Sequence, residues 1–83
     1  MKELARYTGK VTKLMAPPQP SLVVLTEVAT GKSGETTAPS ETLVKEGLKT
    51  GDEFEVVIQQ LIDGSVGGIL RRKGNVEGSS FDI

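Results

Sequence analysis

The chain has 83 residues, 36% of them apolar and 25% charged, with a formal net charge of −1. That is one small domain with a modest core, since a chain of this size buries only about 60–65% of its extended surface on folding. The absence of Cys and His excludes disulfides, thiolate and imidazole metal ligation, Cys nucleophiles and Ser-His triads. The longest wholly apolar run, residues 22–25, is far short of the roughly 20 residues a spanning helix needs. With no signal-peptide stretch before the first charges, the expectation is a cytoplasmic protein with no membrane partner.

Short apolar runs, closely spaced turn signals and plentiful Gly, Thr, Val and Ser predict an all-β domain. The first predicted strand is 7–14. Tyr7, Gly9 and Val11 share a face and Leu14 falls out of phase, which asks for a bend or bulge, with Gly9 a fit place for it. Residues 15–21 read M-A-P-P-Q-P-S. Prolines lack the ladder donor, so this is a stiff connector outside any sheet. The second strand is 22–29, apolar on both faces at its start. A turn with two glycines, 30–34, leads to a short third strand at about 35–37.

Pro39 opens a short helical segment, with Glu41 in its first turn, Leu43, Val44 and Leu48 facing inward, and Gly47 as its stop. After a turn at 50–52, the fourth strand, 53–62, alternates Phe54, Val56 and Ile58 against Glu55. Val57 and Leu61 add apolar surface to the Glu55 face, which predicts a central strand. Asp63-Gly64 signals a hairpin, and the fifth strand is 66–72, with Gly67 and Gly68 suggesting a bulge or close backbone approach. Residues 74–83 are polar and Gly/Ser-rich and predict a flexible tail beyond a single domain at 1–73.

Charge is unevenly distributed. Residues 1–13 hold Lys2, Arg6, Lys10 and Lys13 against Glu3; residues 14–70 hold three Lys against eight acids; residues 71–83 hold Arg71, Arg72 and Lys73 against Glu77 and Asp82. If the first and last strands are neighbours, the two basic clusters merge into one patch; the alternative is that these cations keep a small sheet soluble and guard its edges.

The order strand, strand, strand, short helix, strand, strand resembles the OB fold, a five-stranded Greek-key barrel. The motifs are Gly9-Lys10-Val11 in the first strand, Ser40-Glu41 after Pro39, the step Leu48-Lys-Thr-Gly51-Asp52-Glu-Phe54-Glu-Val56, then Asp63 and Leu70-Arg71-Arg72-Lys73. They are similar to those of the OB-type RNA-binding domain of ribosomal proteins, over residues 7–73. The resemblance implies a small five-stranded barrel, with one short helix between the third and fourth strands, that binds single-stranded RNA or DNA. Such barrels stack aromatic residues of the first two strands on bases, and here those stretches offer Tyr7 alone. Residues 34–73 also resemble the swapped-hairpin DNA-binding domains of bacterial transition-state regulators and antitoxins, through Pro39, Gly47-Leu48 and Gly51-Asp52. Those proteins carry basic residues before the Pro; here 35–38 bring none, and 7–29 are left over.

Residues 29–33, A-T-G-K-S, end like a phosphate-binding Walker loop. Position 26 is Thr where the pattern requires Gly, and Gly34 with two Thr does not continue a helix, so nucleotide hydrolysis is rejected. Asp52, Glu53 and Glu55 are read as a turn cap and solvated acids rather than a cation site. No enzyme, metal or cofactor is expected. The expected function is a nucleic-acid-binding module in which Lys10, Lys13, Arg71, Arg72 and Lys73 contact phosphates and Tyr7 stacks on a base. The alternatives are a protein-interaction or structural barrel and, further off, a dimeric swapped-hairpin regulator; a monomer is expected over a dimer.

Overall fold

The computed structural model of the chain describes residues 2–74 and 78–82. Six strands and one helix follow in the order β1 (Lys2–Lys13), β2 (Ser21–Glu27), β3 (Ser33–Ala38), α1 (Ser40–Lys45), β4 (Glu53–Gln60), β5 (Val66–Arg72) and β6 (Ser79–Asp82). They form one antiparallel sheet in the order β3-β2-β1-β4-β5-β6. The domain is thus mostly β, and β4 is an interior strand as its two apolar faces predict.

The sheet has six strands, not the five expected, and it is open rather than closed into a barrel, with β3 and β6 as its edges. The reason lies at β5. Its free side, where a returning β3 would complete a barrel, is taken by β6, through Leu70↔Ser79, Ile69↔Ser80 and Gly68↔Phe81. The extra strand comes from the stretch whose composition predicts a tail. Residues 75–77 and 83 of that stretch lie outside the described residues.

One sheet face is inner, and α1 packs Leu43 into it. The core is Val11, Val23, Leu43, Leu48, Phe54, Val56 and Leu70, with Tyr7, Leu14, Leu25, Ala38 and Ile58 packed against it. The alternation of strand side chains sends Lys10, Thr8 and Arg6 of β1 to the opposite, outer face. The bulge that Leu14 calls for is present, but at Thr12, where the β1–β2 register jumps from Val11↔Val23 to Lys13↔Leu22. The additional residue reverses the phase of the strand, so Lys13 faces outward with Leu22 and Leu14 returns to the core. Gly9 has a different role: a Cβ there would fall on the ring of Phe54, inside van der Waals distance of three ring carbons. β5 runs against β4 with no register shift at Gly67 or Gly68, both of which are buried.

Local chemistry closes each turn. Helix α1 ends in a paired reverse-turn motif, with Gly47 N–H donating to the Val44 carbonyl at 2.9 Å and Leu48 N–H to the Leu43 carbonyl at 2.9 Å. Gly47 takes φ +73°, the left-handed value this motif requires, and Leu43 and Leu48 meet in the core. The Asp52 carboxylate accepts from Lys49 N–H at 2.9 Å, so Asp52 caps its own turn. The Asp63 carboxylate accepts from both the N–H and hydroxyl of Ser65, at 3.0 and 2.6 Å. The proline segment, whose Pro17-Pro18 bond is cis, is tied down by a buried relay. Met15 N–H donates to Ser21 Oγ at 2.9 Å, Ser21 and Ser40 Oγ are 2.5 Å apart, and the Ser40 hydroxyl donates to the Gln19 carbonyl.

Candidate nucleic-acid interface

The cations singled out from sequence fall on two faces. Along the outer face, one row across the sheet runs Glu35, Val24, Lys10 and Glu53, because Val24 pairs with Glu35 and Lys10 pairs with both Val24 and Glu53. Lys73 extends that row, its ammonium 2.8 Å from the Glu53 carboxylate. The next row is Ser33, Thr26, Thr8, Glu55 and Arg71. Arg71 grips Glu55 through Nε at 3.1 Å and Nη2 at 2.9 Å. Beyond Lys10, past the bulge, Lys13 stands exposed beside Leu22. Lys10, Lys13, Arg71 and Lys73 are thus brought to one end of one face.

The other two are not. Arg72 pairs with Phe54 and therefore belongs to the inner side. Its guanidinium lies just past the end of α1, where a Cβ on Gly47 would be 3.7 Å from it. Tyr7 is half-buried on the inner side of β1 and packs against the core. It lines a recess with Leu25, Gly34 and Thr36. A base lying over Lys10 is out of its reach, with the β1 backbone between them.

The outer face also carries groups the sequence reading passed over. Arg6 stands two residues before Thr8 on the same side, ion-paired to Glu3 at 2.8 Å. Thr8 and Thr26 share a shallow depression of about 320 Å³ with Gly9, Lys10, Val24 and Glu53. Thr26 and Ser33 hydroxyls are 2.7 Å apart. Period-two counting from Lys10 finds Arg6 and Thr8 directly; Thr26 and Ser33 need the β1–β2–β3 register. The segment 29–33, which ends like a Walker loop, is the β2–β3 hairpin turn running into β3, with Glu27 N–H donating to the Lys32 carbonyl at 2.8 Å and Gly31 at φ +74°.

The electrostatics are mixed rather than uniformly positive. Two of the four cations hold a carboxylate, so a polyanion meets alternating signs, with Lys10 and Lys13 free of any ion pair among the described residues. The hydrogen bond from Lys73 holds the Glu53 carboxyl below its ordinary value, helped by the charges of Lys73 and Lys10. The same contact raises Lys73. Because the folded value of Glu53 is depressed, this contact stabilises the fold above the unfolded carboxylate pKa and is lost as pH falls through the folded value. Both groups are exposed, so the effect on stability is small. A carboxyl-carbon NMR titration is expected to place the Glu53 midpoint below that of the same residue in a Lys73→Ala variant; coincident midpoints would show the contact absent in solution.

Comparison with protein families, curated proteins and solved structures finds no match for this chain. No helix among the described residues is long and apolar enough to cross a membrane.

Proposed function

We propose that the chain is a small OB-like module that binds single-stranded nucleic acid across its outer sheet face. The observation that carries this reading is the register that aligns Lys10, Lys13, Arg71 and Lys73 at one end of that face. Kinship with OB barrels is supported by the strand sequence β3-β2-β1-β4-β5 within the sheet and by a helix between β3 and β4. It is the order an OB barrel has when opened between its third and fifth strands. Pairing of β1 with β4 inside one chain also gives residues 7–29 a place, which the swapped-hairpin reading does not.

Lys10 and Lys13 make the first phosphate contacts, and Arg71 and Lys73 join as they exchange Glu55 and Glu53 for phosphate. The hydroxyls of Thr8 and Thr26 supply neutral donors beside Lys10. With no aromatic side chain on this face among the described residues, binding is dominated by backbone charge and is weak, salt-sensitive and indifferent to base sequence.

Fluorescence anisotropy with a labelled single-stranded oligonucleotide tests it. With four phosphate contacts, log K is expected to fall against log salt with a slope of about −3, at roughly 0.7 per contact. Lys10→Ala with Lys13→Ala is expected to flatten that slope by about 1.4 by the same arithmetic. Glu53→Gln, which releases Lys73, is expected to tighten binding severalfold at low salt. No saturable binding, or a slope unchanged in the double variant, would refute the reading.

A further inference from the structure

The β3 edge of the sheet is open. Glu27 N–H donates to the Lys32 carbonyl at 2.8 Å, and the β2–β3 register continues unbroken from Thr26↔Ser33 to Ser21↔Ala38. Antiparallel ladders alternate between bonded and non-bonded pairs. Gly34, Thr36 and Ala38 therefore spend their backbone groups on β2, while Ser33, Glu35 and Thr37 point N–H and C=O away from the sheet. Nothing among the described residues pairs with that edge. Natural edges are usually blunted by Lys, Pro or a bulge; β3 has none of these, only Glu35 and Gly34.

Behind the edge the inner face is unfilled. A cleft of about 90 Å³, the size of an aliphatic side chain, is lined by Val23, Leu25, Ala38, Phe54, Val56 and Leu70. It neighbours a more open recess that Tyr7, Leu25, Gly34 and Thr36 line together with Glu27 and Lys32. On the outer side stands Glu35, exposed and without an ion pair among the described residues. A strand added here alternates its side chains between an apolar cleft and the outer face beside Glu35.

We infer that β3 is a docking edge for an extended peptide of another protein whose residues alternate between aliphatic and basic. Backbone groups of Ser33, Glu35 and Thr37 pair with the incoming strand. Its aliphatic side chains enter the cleft beside Leu25 and Phe54, and a Lys or Arg faces Glu35. This is strand addition, in which the ladder gives affinity and alternate side chains give selectivity. It rests on the β3 edge and the inner cleft, not on the outer-face cations, and stands independently of nucleic-acid binding.

The test is an amide NMR titration with a capped Lys-Val-Lys-Val-Lys-Val peptide, compared with its Glu-Val counterpart. Saturable shifts are expected on residues 33–38 and Leu25 with the basic peptide and none with the acidic one. Glu35→Lys is expected to weaken binding about tenfold, the scale of one close charge pair. Thr37→Pro deletes an outward N–H without touching the β2–β3 ladder, and is expected to abolish binding while leaving the remaining spectrum folded. Absence of saturable shifts, shifts elsewhere on the sheet, equal binding of the two peptides, or affinity indifferent to Glu35→Lys would each overturn the inference. So would a doubled mass of the free protein that Thr37→Pro returns to that of one chain, since a second copy would then hold the edge.

Discussion

Gly9→Ala is expected to lose about 3 kcal/mol of stability, at the upper end for inserting atoms into a packed core. For a domain of this size, that is a fall in Tm of roughly 12–24 °C. The cause is specific. Gly9 pairs with Phe54 across β1 and β4, and the far end of the Phe54 ring, Cζ and both Cε atoms, occupies the position a Cβ would take. Phe54 is 1% exposed and sits among Val11, Val23, Leu43 and Leu70, so the ring can yield to a Cβ only by giving up that packing. In a Phe54→Leu background the same change at Gly9 is expected to cost well under half as much, because the shorter side chain vacates the space above β1. Thermal unfolding of the four proteins of that cycle, followed by circular dichroism, measures the coupling. Equal costs in the two backgrounds would show that Gly9 is needed for its backbone and not for the ring above it.

Ser21→Ala is expected to cost about 2 kcal/mol, within the range for orphaning a buried donor. Ser21 is fully buried, yet it is the junction of the relay from Met15 N–H through Ser40 to the Gln19 carbonyl. The hydroxyl chain has one consistent direction. Ser40 donates to Gln19, so Ser21 donates to Ser40 and accepts from Met15. Both ends of the proline segment and the first residue of α1 are thereby joined at one point. Loss of either hydroxyl is expected to loosen residues 14–20, read as faster amide exchange at Met15. The double change Ser21→Ala with Ser40→Ala is expected to cost clearly less than the two single changes added, since one relay is broken only once. Strict additivity in urea unfolding would mean the two hydroxyls act separately.

Most elements were legible because their signals are local. Phe54, Val56 and Ile58 alternate over five residues, Asp63-Gly64 announces its hairpin, and the Gly47 stop needs only the helix before it. β5 was read with its observed bounds, Val66–Arg72. What was not legible depends on contacts far apart in the chain. Ser79 and Ser80 have the composition of a frayed end and become β6 only because β5 offers them a free side; Ser79 then reaches Glu46, donating its hydroxyl at 2.8 Å. The need for a bulge was visible in the phase of Leu14, but its site at Thr12 is set by the β2 register, and the conspicuous glycine serves Phe54 instead.

The candidate interface divides in the same way. The sequence showed two basic clusters near the chain ends, and the β1–β4–β5 order does bring Lys10, Lys13, Arg71 and Lys73 to one face. Parity alone separates Tyr7 from Lys10, three residues apart on one strand, and that was readable in advance. The pairing of Lys73 with Glu53 and of Arg71 with Glu55 was not readable, because it follows from the β4–β5 register. Those carboxylates make the difference between a strongly basic surface and one of mixed sign.

Amide chemical-shift mapping with a short single-stranded oligonucleotide at low salt examines that face most directly. Shifts are expected on Thr8, Lys10, Lys13, Thr26, Arg71 and Lys73, fading together as salt rises, with the Tyr7 ring resonances unmoved. Shifts centred on Tyr7, Leu25 and Thr36, or none at any oligonucleotide concentration, would contradict the proposed outer-face binding.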